Sequence, residues 1–189
     1  IKADIPPWVR LQRVQRDIPA DFIEAGVWKS NLRQLARKRL EEHGGSCDCI
    51  RCREVGMNDA EPETVDMETR TYAAGGGTEQ FISFEDPAQD LLIGFLRLRF
   101  PGNPRREELQ DAAIVRELHV YGNEVSLGES GEDFQHQGYG RKLLREAEKR
   151  ARDAGFEKLA VIAGIGAREY YRQELDYQQD GPYVSKSLE

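Results

Sequence analysis

The chain reads as an α/β fold, a mixed β-sheet flanked by helices and preceded by a small helical segment that carries clustered cysteines. Three observations predict it. A Gln-x-x-Gly-x-Gly turn runs directly into an amphipathic helix. β-rich runs stand on both sides of that unit. All three cysteines of the 189 residues, Cys47, Cys49 and Cys52, fall in one short stretch.

The glycine turn, FQHQGYGRKLL at 134–144, is the most informative of these. Gly138 and Gly140 permit backbone angles that a Cβ penalises and let main-chain N–H groups approach an anion. The helix that follows adds unpaired donors and a partial positive charge, so a diphosphate suits this end. Phe134, Gln135, His136, Gln137, Gly138, Tyr139, Gly140 and Arg141 are therefore the candidate cradle. The spacing matches neither the dinucleotide fingerprint nor the Walker loop.

The flanking elements follow from periodicity. In 112–122, alternation puts Ile114, Arg116, Leu118 and Val120 on one face and Glu117, His119 and Tyr121 on the other. After the turn, Leu143, Leu144, Ala147 and Ala151 recur at helical spacing, and Gly155 is a natural stop. The apolar run 158–164 reads as a strand covered on both faces, and AREYYRQ at 167–173 as another helix. Earlier, 81–85 and 91–100 form an antiparallel hairpin about Asp86-Pro87, with Leu96, Leu98 and Phe100 opposite Arg97 and Arg99. The cradle thus sits at the carboxyl end of a strand, where open α/β sheets commonly bind ligands.

Charge is uneven. The chain carries a net charge of −7, yet residues 1–56 hold 11 Lys and Arg against 8 Asp and Glu, while the remainder holds 16 against 26. Leu32, Leu35, Ala36 and Leu40 read as the apolar stripe of a helix, with Arg33 and Arg37 on its other side. Arg10, Arg13 and Arg16 form a second basic cluster. The acidic stretch 59–68 reads as a connector of little apolar content. No apolar run approaches membrane-spanning length and no secretory h-region precedes the first motif, so a soluble, cytosolic protein without a membrane partner is expected.

The cysteines follow the pattern Cys-x-Cys-x-x-Cys. An odd number in a reducing compartment argues against disulfides. Thiolates this close suit a soft cation, and tetrahedral zinc needs four ligands. His43 is the nearest candidate for the fourth, and a ligand from a further part of a longer chain is the alternative.

The motifs RELHVYG, FQHQGYG, AVIAGIG, YYR and DGPYVSK, in this order, make the chain resemble the catalytic subunit of Elongator. VQRDIP, NLRQLA and CIRCREVG extend the resemblance to the front, and the glycine turn is similar to the Q/R-x-x-G-x-G/A loop of GNAT acetyltransferases. The resemblance implies a GNAT fold over 66–189, preceded at 1–58 by a zinc-binding linker holding Cys47, Cys49 and Cys52. It implies acetyl-CoA in a cleft between two diverging strands, its pantetheine paired with the main chain of Glu117, Leu118, His119 and Val120. Tyr170 and Tyr171 would be the catalytic pair near the thioester, Tyr171 the closer contact. Glu117 and His119 are conceivable bases.

The implied reaction is modification of the wobble uridine of transfer RNA, with acetyl-CoA supplying the added carbon unit. In that family S-adenosylmethionine and an iron–sulfur cluster act in a radical SAM domain. Its Cys-x-x-x-Cys-x-x-Cys motif is absent from this sequence, which is expected to be a piece of a longer chain: Ile1 is not an initiator, and Leu188 and Glu189 have the look of an appended tail. Arg33 and Arg37 would meet RNA phosphates. A protein lysine acetyltransferase and a CoA- and RNA-binding module without turnover stay open as alternatives. The chain also departs from the family pattern. It reads YYRQELDY where YYRKLGY is usual, with one extra residue and Asp176 in place of glycine, so the turn after the tyrosine helix must close differently.

Overall fold

The computed structural model describes residues 1–12, 19–26, 28–29, 31–58, 61–121 and 138–189. They divide into two compact units, Ile1–Asp59 and Ala60–Glu189.

The second unit is a seven-stranded mixed sheet. Its strands are β1 (Asp66–Ala74), β2 (Gly77–Asp86), β3 (Leu91–Phe100), β4 (Ala112–Val120), β5 (Lys158–Val161), β6 (Gln178–Asp180) and β7 (Tyr183–Ser187), in the order β1-β2-β3-β4-β5-β7-β6. β4 and β5 are parallel, joined through α3 (Tyr139–Asp153), and the other neighbours are antiparallel. A parallel pair requires such a crossover, whereas β2 and β3 need only the turn at Asp86. There the Asp86 carboxylate accepts N–H bonds from Ala88 at 3.0 Å and Gln89 at 3.2 Å, and from Glu63 at 2.8 Å on the entering chain.

The core lies between the sheet and α3. Leu143, Leu144, Ala147 and Ala151 are buried as the helical spacing predicts, against Ile82, Leu96, Leu98, Val115, Leu159 and Val184. Each leucine withdrawn from water here contributes about 1.5–3 kcal/mol. Gly155, at φ +85°, stops the helix, and the Phe156 N–H bonds back to the Ala151 carbonyl at 3.0 Å. Leu188 is packed into the same core, and its N–H donates to the Glu157 carbonyl at 2.9 Å, so it is part of the fold rather than a loose tail.

Two expectations need correction. The acidic connector does not extend to residue 68, because Asp66 already opens β1. The strand was disguised by charge: Arg70 and Tyr72 point to inward partners, Glu85 and Glu79, instead of to solvent. The alternation along β4 is also broken. Arg97 pairs with Glu117 but Leu98 pairs with Val115, so Arg116 is the extra residue of a β-bulge. A bulge shifts every later side chain by one face. Leu118 and Val120 therefore share the α3 side with Ala113 and Val115, not with Ile114 and Arg116.

The first unit contains α1 (Leu32–Glu42) and α2 (Ile50–Arg53) with short 3₁₀ turns. Its small core centres on Cys47, Cys49 and Cys52, with Ile5, Leu11 and Leu40 against them. Among the described residues no helix is long and apolar enough to cross a membrane.

Candidate acyl-CoA cleft and cysteine cluster

β4 and β5 are hydrogen-bonded only over Ala112–Val115 and Lys158–Val161, the last bond running from the Ile162 N–H to the Val115 carbonyl at 3.0 Å. Beyond it β4 continues to Val120, paired among the described residues with β3. The two parallel strands therefore part at the bulge. This leaves the edge of Glu117, Leu118, His119 and Val120 facing the gap, with backbone groups for an extended ligand bearing amides.

The N-terminus of α3 stands at this end of the sheet. Gly138 takes φ +73°, a left-handed angle at which a side chain is strained, and its carbonyl accepts the first helical bond, from Lys142 at 3.0 Å. The N–H groups at the start of α3 precede that bond and point out of the helix end. Gly140 lies over Leu118 and Val120, and a Cβ built on it would touch both side chains at 3.7 Å. The Tyr139 ring is buried against Phe84, with centroids 4.8 Å apart, which fixes the first turn on the sheet. The structure thus brings Gly138, Tyr139, Gly140 and Arg141 together with Leu118 and Val120. Phe134, Gln135, His136 and Gln137 lie outside the described residues.

Arg141 ties α3 to α4 (Arg168–Glu174), donating to the Tyr170 hydroxyl at 3.1 Å and to Glu174 at 3.1 Å. Tyr170 is about half exposed, whereas Tyr171 is buried edge-on to Tyr177. Burial, reinforced by Tyr170, pushes the Tyr171 phenol up to about 12, so it keeps its proton at neutral pH. The altered turn closes with Asp176 at φ +61°, and the Tyr177 N–H caps the helix at the Tyr171 carbonyl, 3.1 Å away. Aspartate is among the few non-glycine residues that visit this region, so the extra residue is absorbed.

The opposite face of the sheet carries an ionic network that the sequence reading did not reach. Glu79, 2% exposed, accepts from the Tyr72 hydroxyl at 2.6 Å and from Arg116 at 2.6 Å. Arg97 donates to the Tyr72 oxygen at 2.9 Å and to Glu117 at 2.8 Å. Burial works to raise the Glu79 carboxyl, but Tyr72, Arg116 and Arg97 outweigh it and hold it below its ordinary value. Burial and the same contact push Tyr72 up to about 12. The signal available in sequence was Arg97 on the polar side of β3; its partners come from β1, β2 and β4 and have no fixed spacing. Glu117, His119 and Tyr121 do share this face, as expected: Glu117 Oε1 lies 3.7 Å from His119 Nε2, and the His119 and Tyr121 rings are parallel within 6°.

In the first unit the three cysteine sulfurs lie within 4.8 Å of one another, all buried. Tetrahedral thiolates at about 2.3 Å from zinc stand about 3.8 Å apart, so the cluster fits a tetrahedral ion with a small contraction. The side-chain and backbone hydrogen bonds of Cys52 pull the Cys49 thiol down to about 4, while Cys52, which supplies that hydrogen, is pushed up. His43 does not join them. It is exposed, and its Nδ1 lies 2.7 Å from the Arg39 carbonyl of its own helix.

Arg33 and Arg37 are not on the far side of α1. Both are half-buried, because positions 33, 37 and 40 are i, i+4 and i+7 and lie on one stripe, with Leu40 against the cysteines. Arg33 Nη2 donates to Cys52 Sγ at 3.4 Å, the buried Lys2 Nζ does so at 3.7 Å, and Arg37 pairs with Glu41 at 2.8 Å. Arg33, Arg37, Lys38 and Arg51 line one groove. Arg13 and Arg16 lie outside the described residues.

Comparison with known proteins supports the reading of the sheet unit. The model of the acetyltransferase (GNAT) family matches residues 51–177. Over its whole length the chain is 49% identical to Elongator complex protein 3 of Drosophila melanogaster and 49% identical to the tRNA uridine(34) acetyltransferase of Methanocaldococcus jannaschii, covering 36% of each. It spans about a third of the length of these curated relatives. A solved structure of Methanocaldococcus infernus Elp3 superposes on 98% of the chain with a TM-score of 0.88 at 47% identity, and the chain covers 46% of it. The resemblance read from the motifs is thus upheld, and with the strands parting at the bulge opposite the N-terminus of α3, the chain belongs to the acetyltransferase (GNAT) family.

Proposed function

We propose that this chain binds acetyl-CoA between β4, β5 and α3 and works as the acyltransferase part of an enzyme modifying the wobble uridine of transfer RNA. The observation that carries the reading is the stretch Glu117, Leu118, His119 and Val120, which runs on past the last β4–β5 pair beside the N-terminus of α3. An edge of this kind pairs with the pantetheine amides, and the helix end takes the diphosphate. The names of the 49% identical relatives supply the substrate class.

At the thioester a nucleophile adds to the carbonyl and gives up its proton to a base, the carbon–sulfur bond breaks, and the departing thiolate takes a proton from an acid. Tyr170 and Tyr171 are the proposed donors. Tyr171 is protonated at neutral pH, and Arg141 orients the Tyr170 hydroxyl toward the helix end. The two roles divide by exposure: Tyr170 is the accessible phenol and Tyr171 the packed one.

The first unit is proposed to hold zinc on Cys47, Cys49 and Cys52, its fourth ligand coming from elsewhere in a longer polypeptide. The metal would be structural, supplying folding free energy to a unit with a small core. The groove of Arg33, Arg37, Lys38 and Arg51 is the proposed path of the RNA backbone. S-adenosylmethionine and the iron–sulfur cluster are assigned to a radical SAM domain outside these residues.

Release of free CoA from acetyl-CoA, followed with a thiol reagent, tests the reading. The expected result is binding of acetyl-CoA by the chain and CoA release stimulated by transfer RNA. Release stimulated by basic peptides and not by RNA would replace it with protein lysine acetylation. Absence of thiol release under both conditions would reduce the chain to a binding module.

A further inference from the structure

The main chain of β4 beyond the bulge faces the cleft, which leaves the side chains of Glu117, His119 and Tyr121 to account for. They project from the face opposite α3. His119 is half exposed, its side chain 50% accessible, and its ring runs parallel to Tyr121 with centroids 5.9 Å apart. Both rings rest on Phe95, fully buried, at 5.8 and 6.2 Å. Phe95 in turn stacks on Phe81 at 5.0 Å, and the Arg97 guanidinium lies 5.4 Å from both of those rings.

Beside the ledge, Glu117 is held in place. One oxygen accepts from Arg97 at 2.8 Å, and the other lies 3.7 Å from His119 Nε2. Arg97 is itself fixed by Tyr72, which is bonded to the buried Glu79. A half-exposed imidazole backed by Tyr121 and Phe95, next to an oriented carboxylate acceptor, has the chemistry to recognise an unpaired base bearing a ring N–H. Stacking binds the base by its face, and the carboxylate reads the donor on its edge.

We infer that His119 and Tyr121 form an acceptor subsite that stacks an unstacked uracil-type base of RNA, with Glu117 accepting its ring N–H. The inference rests on the proposed function and deepens it: the backbone of β4 holds the acyl donor, and the side chains of the same residues hold the base that is modified. Arg97 is a positioning residue for Glu117.

The test uses the 189-residue chain and two anticodon stem-loop RNAs, identical except that one carries uridine at the wobble position and the other an abasic ribose there. Stacking of one base on an aromatic side chain is worth roughly tenfold to a hundredfold in affinity. The wild-type chain should bind the uridine hairpin more tightly by a factor in this range. In His119→Ala the two hairpins should bind alike, and in His119→Phe, which keeps the ring and loses the imidazole, the preference should return. Preference of His119→Ala for uridine equal to that of the wild type overturns the subsite while leaving the RNA reading in place. Binding of neither hairpin by the wild type overturns both. Loss of the preference in His119→Phe as well as in His119→Ala would assign the imidazole a different task and also overturn stacking.

Discussion

The two units of this chain hold themselves together by different means. The sheet unit packs Leu143, Leu144, Ala147 and Ala151 against residues of β2, β3, β4, β5 and β7, so apolar area dominates. Among its described residues the first unit shows no apolar cluster of that size. Its buried centre is three cysteines, with Ile5, Leu11 and Leu40 packed around them and two cations, Lys2 and Arg33, directed at one sulfur. Buried cations are costly without an opposite charge. The arrangement supports the proposed metal on these sulfurs, which would stand in for the core that so small a segment cannot build.

Breaking each unit at its own centre should expose that difference. The largest effect is expected from Cys49→Ser, which removes a thiolate from a buried three-sulfur site. Metal analysis should show loss of the bound ion, and circular dichroism loss of helix confined to the first unit. Full metal content in the variant would remove the cysteine cluster as the holding device. Leu143→Ala, a truncation at a fully buried position of the sheet unit, should cost about 2–5 kcal/mol in denaturant unfolding. That loss should be the same with and without chelator if the two units rely on separate forces.

A third change sharpens the account of the cleft. Gly138→Val places a β-branched side chain at φ +73°, beside the N–H groups proposed to take the diphosphate. Calorimetry should show affinity for an acetyl-CoA analogue falling by at least about tenfold, as expected for loss of a charge-assisted contact set. Unchanged affinity in a folded variant would take the diphosphate off this turn.

The polar face of the sheet offers a pH test. The Glu79 carboxyl is held below its ordinary value in the folded state, so its contribution is fully present above the unfolded value of about 4.3 and is lost as pH falls through the folded one. Stability measured from pH 6 to pH 2 should fall along this limb in the wild type. Glu79→Gln should start lower at pH 6 and fall less steeply. Parallel curves would show that the network is not linked to acid stability. The smallest effect is expected at Asp176, whose φ of +61° favours glycine: Asp176→Gly should raise stability by about 0.5–1 kcal/mol, read as a higher unfolding midpoint.

The amino-acid sequence by itself determined the elements whose cause is local. The apolar period of 143–151 needs only the helix repeat, the Asp86-Pro87 turn needs only its own side chain, and Gly138 and Gly155 mark the two ends of α3 because few residues accept their angles. The cysteine spacing likewise declared a shared centre without any fold. Tertiary structure alone decided the rest. The bulge at Arg116 arises from pairing with β3, and it reverses the faces that simple alternation assigns. The inward path of Arg70 and Tyr72 depends on acceptors in β2, so β1 looked like solvated chain. The direction of Arg33 depends on where the cysteine loop returns to α1. In each case the deciding partner is distant along the chain, and a periodicity records only which residues can share a face, not which charge will be waiting there.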